Sequence, residues 1–297
     1  MINIFEHTRA SWVHYSDYQW RDGPDGQFYL LPAPDAKPSV YDPTKVTNEL
    51  VLAAVEIGRS LMGGTPPERG RTLIREFSVK YGLLGIMTAL PTTASFFDYE
   101  KVYFPRNDFI RAETMDTMEY LKYFYPFRMP NVKKKGANSV WNSREDDDTD
   151  MKALMLTFSG RMDPEAMAMS FSRDYGERYE WMVAVFKDWA FTLMATHIYY
   201  DKDDPSNAAT RMAFEHGMAA FEGNAPTYHL ELRDKPVIVW DFHSLMLNIK
   251  IMLDLMLTND DNPIRLCRQC MKPFLAADGS DIFCSSQCAK KYRREHR

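Results

Sequence analysis

All four cysteines of this 297-residue chain fall within its last thirty-one positions, as Cys267-Arg-Gln-Cys270 and Cys284-Ser-Ser-Gln-Cys288. One pair is C-x2-C, the other is C-x3-C, and thirteen residues separate them. Two such pairs match the ligand spacing of a structural zinc site, which needs four soft or borderline donors converging at tetrahedral angles. That requirement dictates a local fold. A tight turn supplies Cys267 and Cys270. Lys272, Pro273, Phe274 and Leu275 follow as a short strand, with Phe274 packing over the site. Ala277-Asp-Gly-Ser280 is turn chemistry, with Gly279 suited to positive φ. Ile282 and Phe283 return as a second strand. Cys284 and Cys288, spaced i and i+4, then share one face of the first turn of a helix, whose N-terminus stabilises thiolate charge. Four thiolates close the shell, so the expectation is one structural Zn(2+) per chain, not a catalytic one. The alternative is two disulfides or four unrelated thiols; no upstream cysteine competes for the metal.

Bulk properties set the surroundings. The chain is 45% hydrophobic and 26% charged, which is ordinary globular composition, and its length allows one large domain or a domain plus a module. No run of eighteen apolar residues exists, so no transmembrane helix and no membrane association are expected. The N-terminus lacks the basic start and apolar run of a signal peptide. The expected compartment is the cytoplasm, where thiolates bind metal more readily than they form disulfides.

Helical periodicity dominates the first 260 residues. Val46, Leu50, Val51, Ala54 and Ile57 recur at helical spacing up to Gly63 and Gly64. A second helix is predicted over about 68–90, ended by Pro91, and another over 114–124. Residues 175–200 hold the strongest helical pattern, through Tyr179, Met182, Val183, Phe186, Trp189, Ala190 and Leu193. Ser206 is a candidate N-cap for a helix to Phe221, and 241–257 is again helical. Strand signals are fewer: 27–31, and a hairpin or two short strands over 227–240. Residues 126–150, with Lys133-Lys-Lys135 and the acidic run from Glu145 to Asp150, are expected to be an exposed insertion. The fold class expected is therefore mainly α with minor β (α+β). A helical domain spanning 1–260 is followed by a small four-cysteine module at 264–297 with a basic C-terminal helix.

At this point the tail resembles the treble-clef zinc ribbon of bacterial CGNR-type zinc-finger proteins. The matching residues are Cys267, Cys270, Phe274, Ser280, Phe283, Cys284, Ser285, Cys288, Lys290 and Arg293. This chain reads Cys288-Ala-Lys-Lys291 where that group carries Cys-Gly-Asn-Arg, and its second pair is one residue shorter. The resemblance implies a transcription-regulator role. Charge agrees: residues 264–297 hold eight Lys or Arg against three Asp or Glu, so +5 of the net −5 lies there and the other 263 residues sum to −10. The tail is then the part that would attract DNA or RNA. Lys290, Lys291, Arg293, Arg294 and Arg297 are the candidate phosphate contacts, with Tyr292 as a stacking residue. The alternative is a protein–protein interaction module in which the zinc is purely structural. An enzyme is the third reading.

The remaining polar groups point less far. The acidic run lacks the Gly and spaced Glu of a calcium loop. His197 reads as a hydrogen-bonded core group, and His229 with Glu231 and Asp241 with His243 are the polar pairs near an apolar element. Gly82 and Gly85 read as close helix packing. Arg106, Arg111, Arg128, Arg173 and Arg178 could line a ligand pocket. No G-x-S-x-G, H-E-x-x-H, Walker loop or G-x-G-x-x-G occurs, and no catalytic residue is nominated.

Overall fold

The computed structural model describes residues 7–93, 96, 99–105, 107–129, 173–200, 226–259, 263–277 and 280–296. The expected insertion beyond residue 129, the helix from Ser206 to Phe221, Gly279, Arg106 and Arg297 lie outside them. The chain divides into two compact units, one of residues 1–45, 71–182 and 223–248, the other of 46–70, 183–222 and 249–297. Its architecture is mixed, with helices beside small and mostly antiparallel sheets.

In the first unit the aromatic N-terminal stretch forms strands. Strand β1 is Thr8–Ala10, β2 Trp12–Tyr15, β3 Tyr18–Asp22, β4 Phe28–Pro32 and β5 Pro38–Tyr41. β2 pairs antiparallel with β5, and β3 with β4. Trp12, Tyr15, Tyr18, Tyr29, Leu30 and Leu31 are buried here. β4 also pairs with the two-residue strand Glu177–Arg178. The strand expected at 27–31 is thus β4, shifted by one residue. The Pro-rich segment that follows is extended enough to make β5 as well.

The single helix expected over 68–90 is two. Helix α2, Pro67–Tyr81, follows helix α1, Thr47–Met62, and a four-residue turn of helix, α3, spans Ile86–Ala89. Gly82 and Gly85, read from sequence as helical, instead break the helix. Gly82 lies at φ +91° with its N–H on the Ser78 carbonyl, and a Cβ there would stand 2.3 Å from the Val13 carbonyl oxygen. A left-handed residue ends a helix, and glycine takes that conformation without steric cost. The linker this creates is clamped by Glu177. Its fully buried carboxylate accepts from the backbone N–H groups of Leu84 (2.7 Å) and Ile86 (2.8 Å) and from the Tyr175 hydroxyl (2.6 Å). Burial raises its pKa, against the pull of those hydrogen bonds.

Two further corrections have the same origin, a strand standing where helix was expected. Residues 114–116 form strand β7, paired with β6 (Lys101–Tyr103), before helix α4 begins at Thr117. The Asp116 carboxylate caps α4 through the Met118 and Glu119 N–H groups. The strong helix begins at Tyr179, after strand β8 (Glu177–Arg178), and is α5, Tyr179–Tyr200. The 227–240 hairpin is observed, as β9 (Thr227–Leu232) and β10 (Pro236–Phe242), with β1 parallel to β10 on its other side. Helix α6 is Leu245–Thr258.

In the second unit α1 crosses α5 closely. A Cβ on Gly58 would stand 1.9 Å from the Phe186 carbonyl oxygen and 2.8 Å from the Ala190 Cβ. Only glycine permits that approach. Strands β11 (Ile264–Leu266) and β12 (Pro273–Leu275) pair antiparallel, and β12 lies against α1. Helix α7, Ser286–Glu295, follows. Among the described residues no helix is long and apolar enough to cross a membrane.

Candidate metal centre

The cysteines come together. The sulfur atoms of Cys267, Cys270, Cys284 and Cys288 all lie within 4.8 Å of one another. Cys284 and Cys288 stand 3.6 Å apart, and Cys270 and Cys284 3.7 Å. A disulfide would need about 2.0 Å, and all four residues are free thiols. Four sulfurs about 2.3 Å from a tetrahedral centre stand about 3.8 Å apart. The cluster fits that spacing and could hold a metal ion, consistent with a zinc site.

The elements that position the sulfurs differ in part from the sequence expectation. β12 does form at 273–275, but its partner is β11, which precedes Cys267. Residues 282 and 283 are not a strand. They contribute one backbone contact, the Arg268 N–H on the Ile282 carbonyl at 2.9 Å. The reason is register: Ile264, Arg265 and Leu266 face Leu275, Phe274 and Pro273, and the inward Ile264 and Leu266 are buried. At 282–283 neither side chain is buried to that degree: Ile282 is 47% exposed, and the half-buried Phe283 meets Tyr292.

The turn between these strands carries Cys267 and Cys270. Cys267 is fully buried, and its N–H donates to the Lys272 carbonyl at 2.9 Å. Burial works to raise its thiol pKa, but backbone N–H groups of Cys284, Cys270 and Gln269 outweigh it and hold the group down to about 6. That is the expected behaviour of a thiolate cradled by turn amides. Burial and the neighbouring sulfurs push Cys284 the other way, up to about 12. One positive metal would stabilise all four thiolates at once. Met271 closes the turn at φ +57°, the only non-glycine residue with positive φ among those described.

Cys284 precedes α7 and Cys288 lies in its first turn. The Ser285 hydroxyl accepts from the Cys288 N–H at 3.2 Å and caps the helix. Two contacts tie the other end of α7 to the turn. Gln269 Nε2 donates to Glu295 at 2.9 Å, and the Arg268 guanidinium lies over the Tyr292 ring at 5.6 Å. Tyr292 also meets Phe283 at 5.3 Å and stacks on His296 at 4.0 Å. The ring nominated as a nucleic-acid stacking residue is therefore engaged within the module.

At about 100° per residue, Lys290, Arg293 and Arg294 fall on the side of α7 opposite Cys288 and Tyr292, and all three are exposed. Lys291 lies on the flank, 3.8 Å from Glu295. Sequence reasoning missed Arg59, which sits on α1. Its guanidinium makes two bonds to Glu56, at 2.6 and 2.8 Å, and these raise its pKa, with the charge of Cys270 adding to the effect. No sequence signal links a mid-chain arginine to a C-terminal cysteine pair; only the docking of β12 on α1 does.

Of the histidine pairs, His229 and Asp241 meet across β9 and β10 at 2.5 Å, and Asp241 is buried. This ties the hairpin together. His243 is buried, and burial pushes its pKa down to about 4. Arg178 bridges Asp25 and the Tyr29 hydroxyl, while Arg173 reaches the Pro34 carbonyl and Arg128 lies 3.5 Å from Asp174. These arginines serve separate local contacts.

Compared with known protein families, with characterised proteins and with solved structures, the chain matches none.

Proposed function

We propose that residues 264–297 are a zinc ribbon of treble-clef type, with one structural zinc on Cys267, Cys270, Cys284 and Cys288. We further propose that helix α7 uses it as a platform to contact nucleic-acid phosphate. The metal part rests on the sulfur spacing and on the closed set of four thiolates, which leaves no open coordination position for catalysis. The resemblance of the tail to CGNR-type ribbons supports it. The observation that carries the nucleic-acid part is the exposed Lys290, Arg293 and Arg294 face, turned away from the ligand stripe. Lys291 adds a fourth cation on the flank.

Binding of a fluorescent DNA duplex, followed by anisotropy across a salt series, tests the reading. Three or four phosphate contacts give a slope of log K against log salt of about −3 to −4. Reversal of Lys290, Arg293 and Arg294 to Glu abolishes binding while zinc content stays at one per chain. Binding that survives the reversal rules out this face. The acidity of the other 263 residues favours a second reading, a ribbon that only organises a protein-binding module. Zinc at one equivalent with no DNA binding at low salt decides for it.

A further inference from the structure

The β9–β10 hairpin turns an apolar face to solvent. Its register sets Tyr228 beside Trp240, Leu230 beside Ile238, and Leu232 beside Pro236, all on one side of the sheet. Tyr228 is 64% exposed, Leu230 69%, Leu232 83% and Ile238 50%. The alternating residues Val237, Val239 and Asp241 are the buried ones. A soluble sheet normally does the reverse, polar outward and apolar inward.

The same hairpin also ends in an open edge. Among the described strands the order is β1, β10, β9, so β9 lies outermost. The Trp240 N–H donates to the His7 carbonyl, on the β1 side. Backbone groups alternate along a strand, so those of Val239 and Asp241 face β9 and meet His229 and Thr227. The N–H and C=O groups of Tyr228, Leu230 and Leu232 consequently point outward. An edge strand that is apolar on its exposed face and free of proline is a template for pairing.

We propose that β9 is a dimer strand: a second copy of the chain adds its own β9, antiparallel, about a two-fold axis. The outward backbone groups allow only registers that oppose even-numbered residues. One register centres on Leu230. It sets Leu230 against Leu230 of the second copy and Tyr228 against Leu232, with about six ladder hydrogen bonds. On the other side of the sheet it places His229, already bonded to Asp241, across from Glu231 of the second copy, which its own Arg233 also holds. A slip of one step instead sets His229 against His229 and leaves Leu232 without a partner. Length and charge both select the Leu230-centred register. The two three-stranded sheets become one of six strands, an isologous pairing that closes the β9 edge.

Light scattering and sedimentation velocity on the full chain in the micromolar range are expected to give twice the chain mass. Leu230→Lys sets two ammonium groups against each other across the axis and returns the mass to a single chain, with the far-ultraviolet circular dichroism of the folded chain unchanged. Register is read by cross-linking, since a hydrogen-bonded antiparallel pair stands about 5.5 Å apart at Cα, within disulfide reach. Leu230→Cys cross-links to itself. Tyr228→Cys and Leu232→Cys cross-link only when the two variants are mixed, with peptide mapping to separate these bonds from native cysteines. A monomeric wild-type chain overturns the proposal, including one whose hairpin captures a different protein. So does a dimer that persists in Leu230→Lys without these cross-links.

Discussion

Removal of the proposed zinc is expected to dissolve the module unevenly. The segment carrying β11 and β12 has its own apolar anchors: Ile264 and Leu266 are each 2% exposed, Ala276 is 1% exposed, and β12 lies against α1. At about 1.5–3 kcal/mol per buried aliphatic side chain, Ile264 and Leu266 alone supply about 3–6 kcal/mol without metal. Helix α7 has no buried residue. Its resources are the Ser285 cap, worth about 1 kcal/mol, the exposed Lys291–Glu295 pair, worth about 0.3–0.5 kcal/mol, and surface contacts of Glu295 with Gln269 and of Tyr292 with Arg268 and Phe283. Ten residues are too few for a stable isolated helix, which needs about 12–15. A structural zinc, at about 10–16 kcal/mol in small zinc-binding peptides, outweighs all of these. Chelation followed by hydrogen–deuterium exchange should therefore leave amides of α7 exchanging at nearly unfolded rates. Amides of β11, β12 and α1 should retain most of their protection. Protection of α7 that survives complete zinc loss would refute the argument, because the helix would then be held by something other than the thiolate cluster. Loss of α1 protection in step with α7 would refute it from the other side.

Gly58→Ala should destabilise the chain by about 1–3 kcal/mol despite the better helix propensity of alanine, because its methyl would overlap the Phe186 carbonyl, which is backbone and cannot step aside; denaturant titration reads it, and a neutral or stabilised variant refutes the α1–α5 crossing. Met271→Gly relieves a left-handed backbone that costs a side-chain-bearing residue about 1–2 kcal/mol. Set against glycine's entropy of about 0.5–1 kcal/mol, zinc retention against a chelator should be unchanged or up to several-fold better, and a clear loss counts against the turn geometry. The His243 pKa is depressed from 6.5 to about 4, so the unfolded state takes up the proton first. Its contribution is fully present above pH 6.5 and is lost as pH falls towards 4, by roughly 3 kcal/mol. A wild type and a His243→Asn variant with parallel stability–pH curves over that window would contradict this.

Local spacing carried much of what could be read early. The positions of Cys267, Cys270, Cys284 and Cys288, the basic α7 and the strands of 227–240 are all consequences of residues within a few positions of one another. A tight turn, an i,i+4 pair and a period-two alternation do not depend on the rest of the chain. Of the N-terminal strands only β4 was legible, between turn signals; the others are five residues or shorter, too brief to establish a period, and the burial of Tyr15 and Tyr18 helps decide them. Gly82 shows the limit clearly. Its sequence neighbours continue a helical pattern, and only the Val13 carbonyl 2.3 Å from where a Cβ would be explains the break.

Which distant surfaces meet was a matter for packing alone. Residue order was enough to specify a four-cysteine cluster and the helix that follows it. It was not enough to specify that β11, not residues 282 and 283, pairs with β12, because that choice depends on which flank can bury apolar side chains. Nor could it bring Arg59 near Cys270, or turn Leu230 and Leu232 outward on an open sheet edge. Those outcomes follow from contact between segments far apart in the chain, where burial and close approach, and not local propensity, set the geometry.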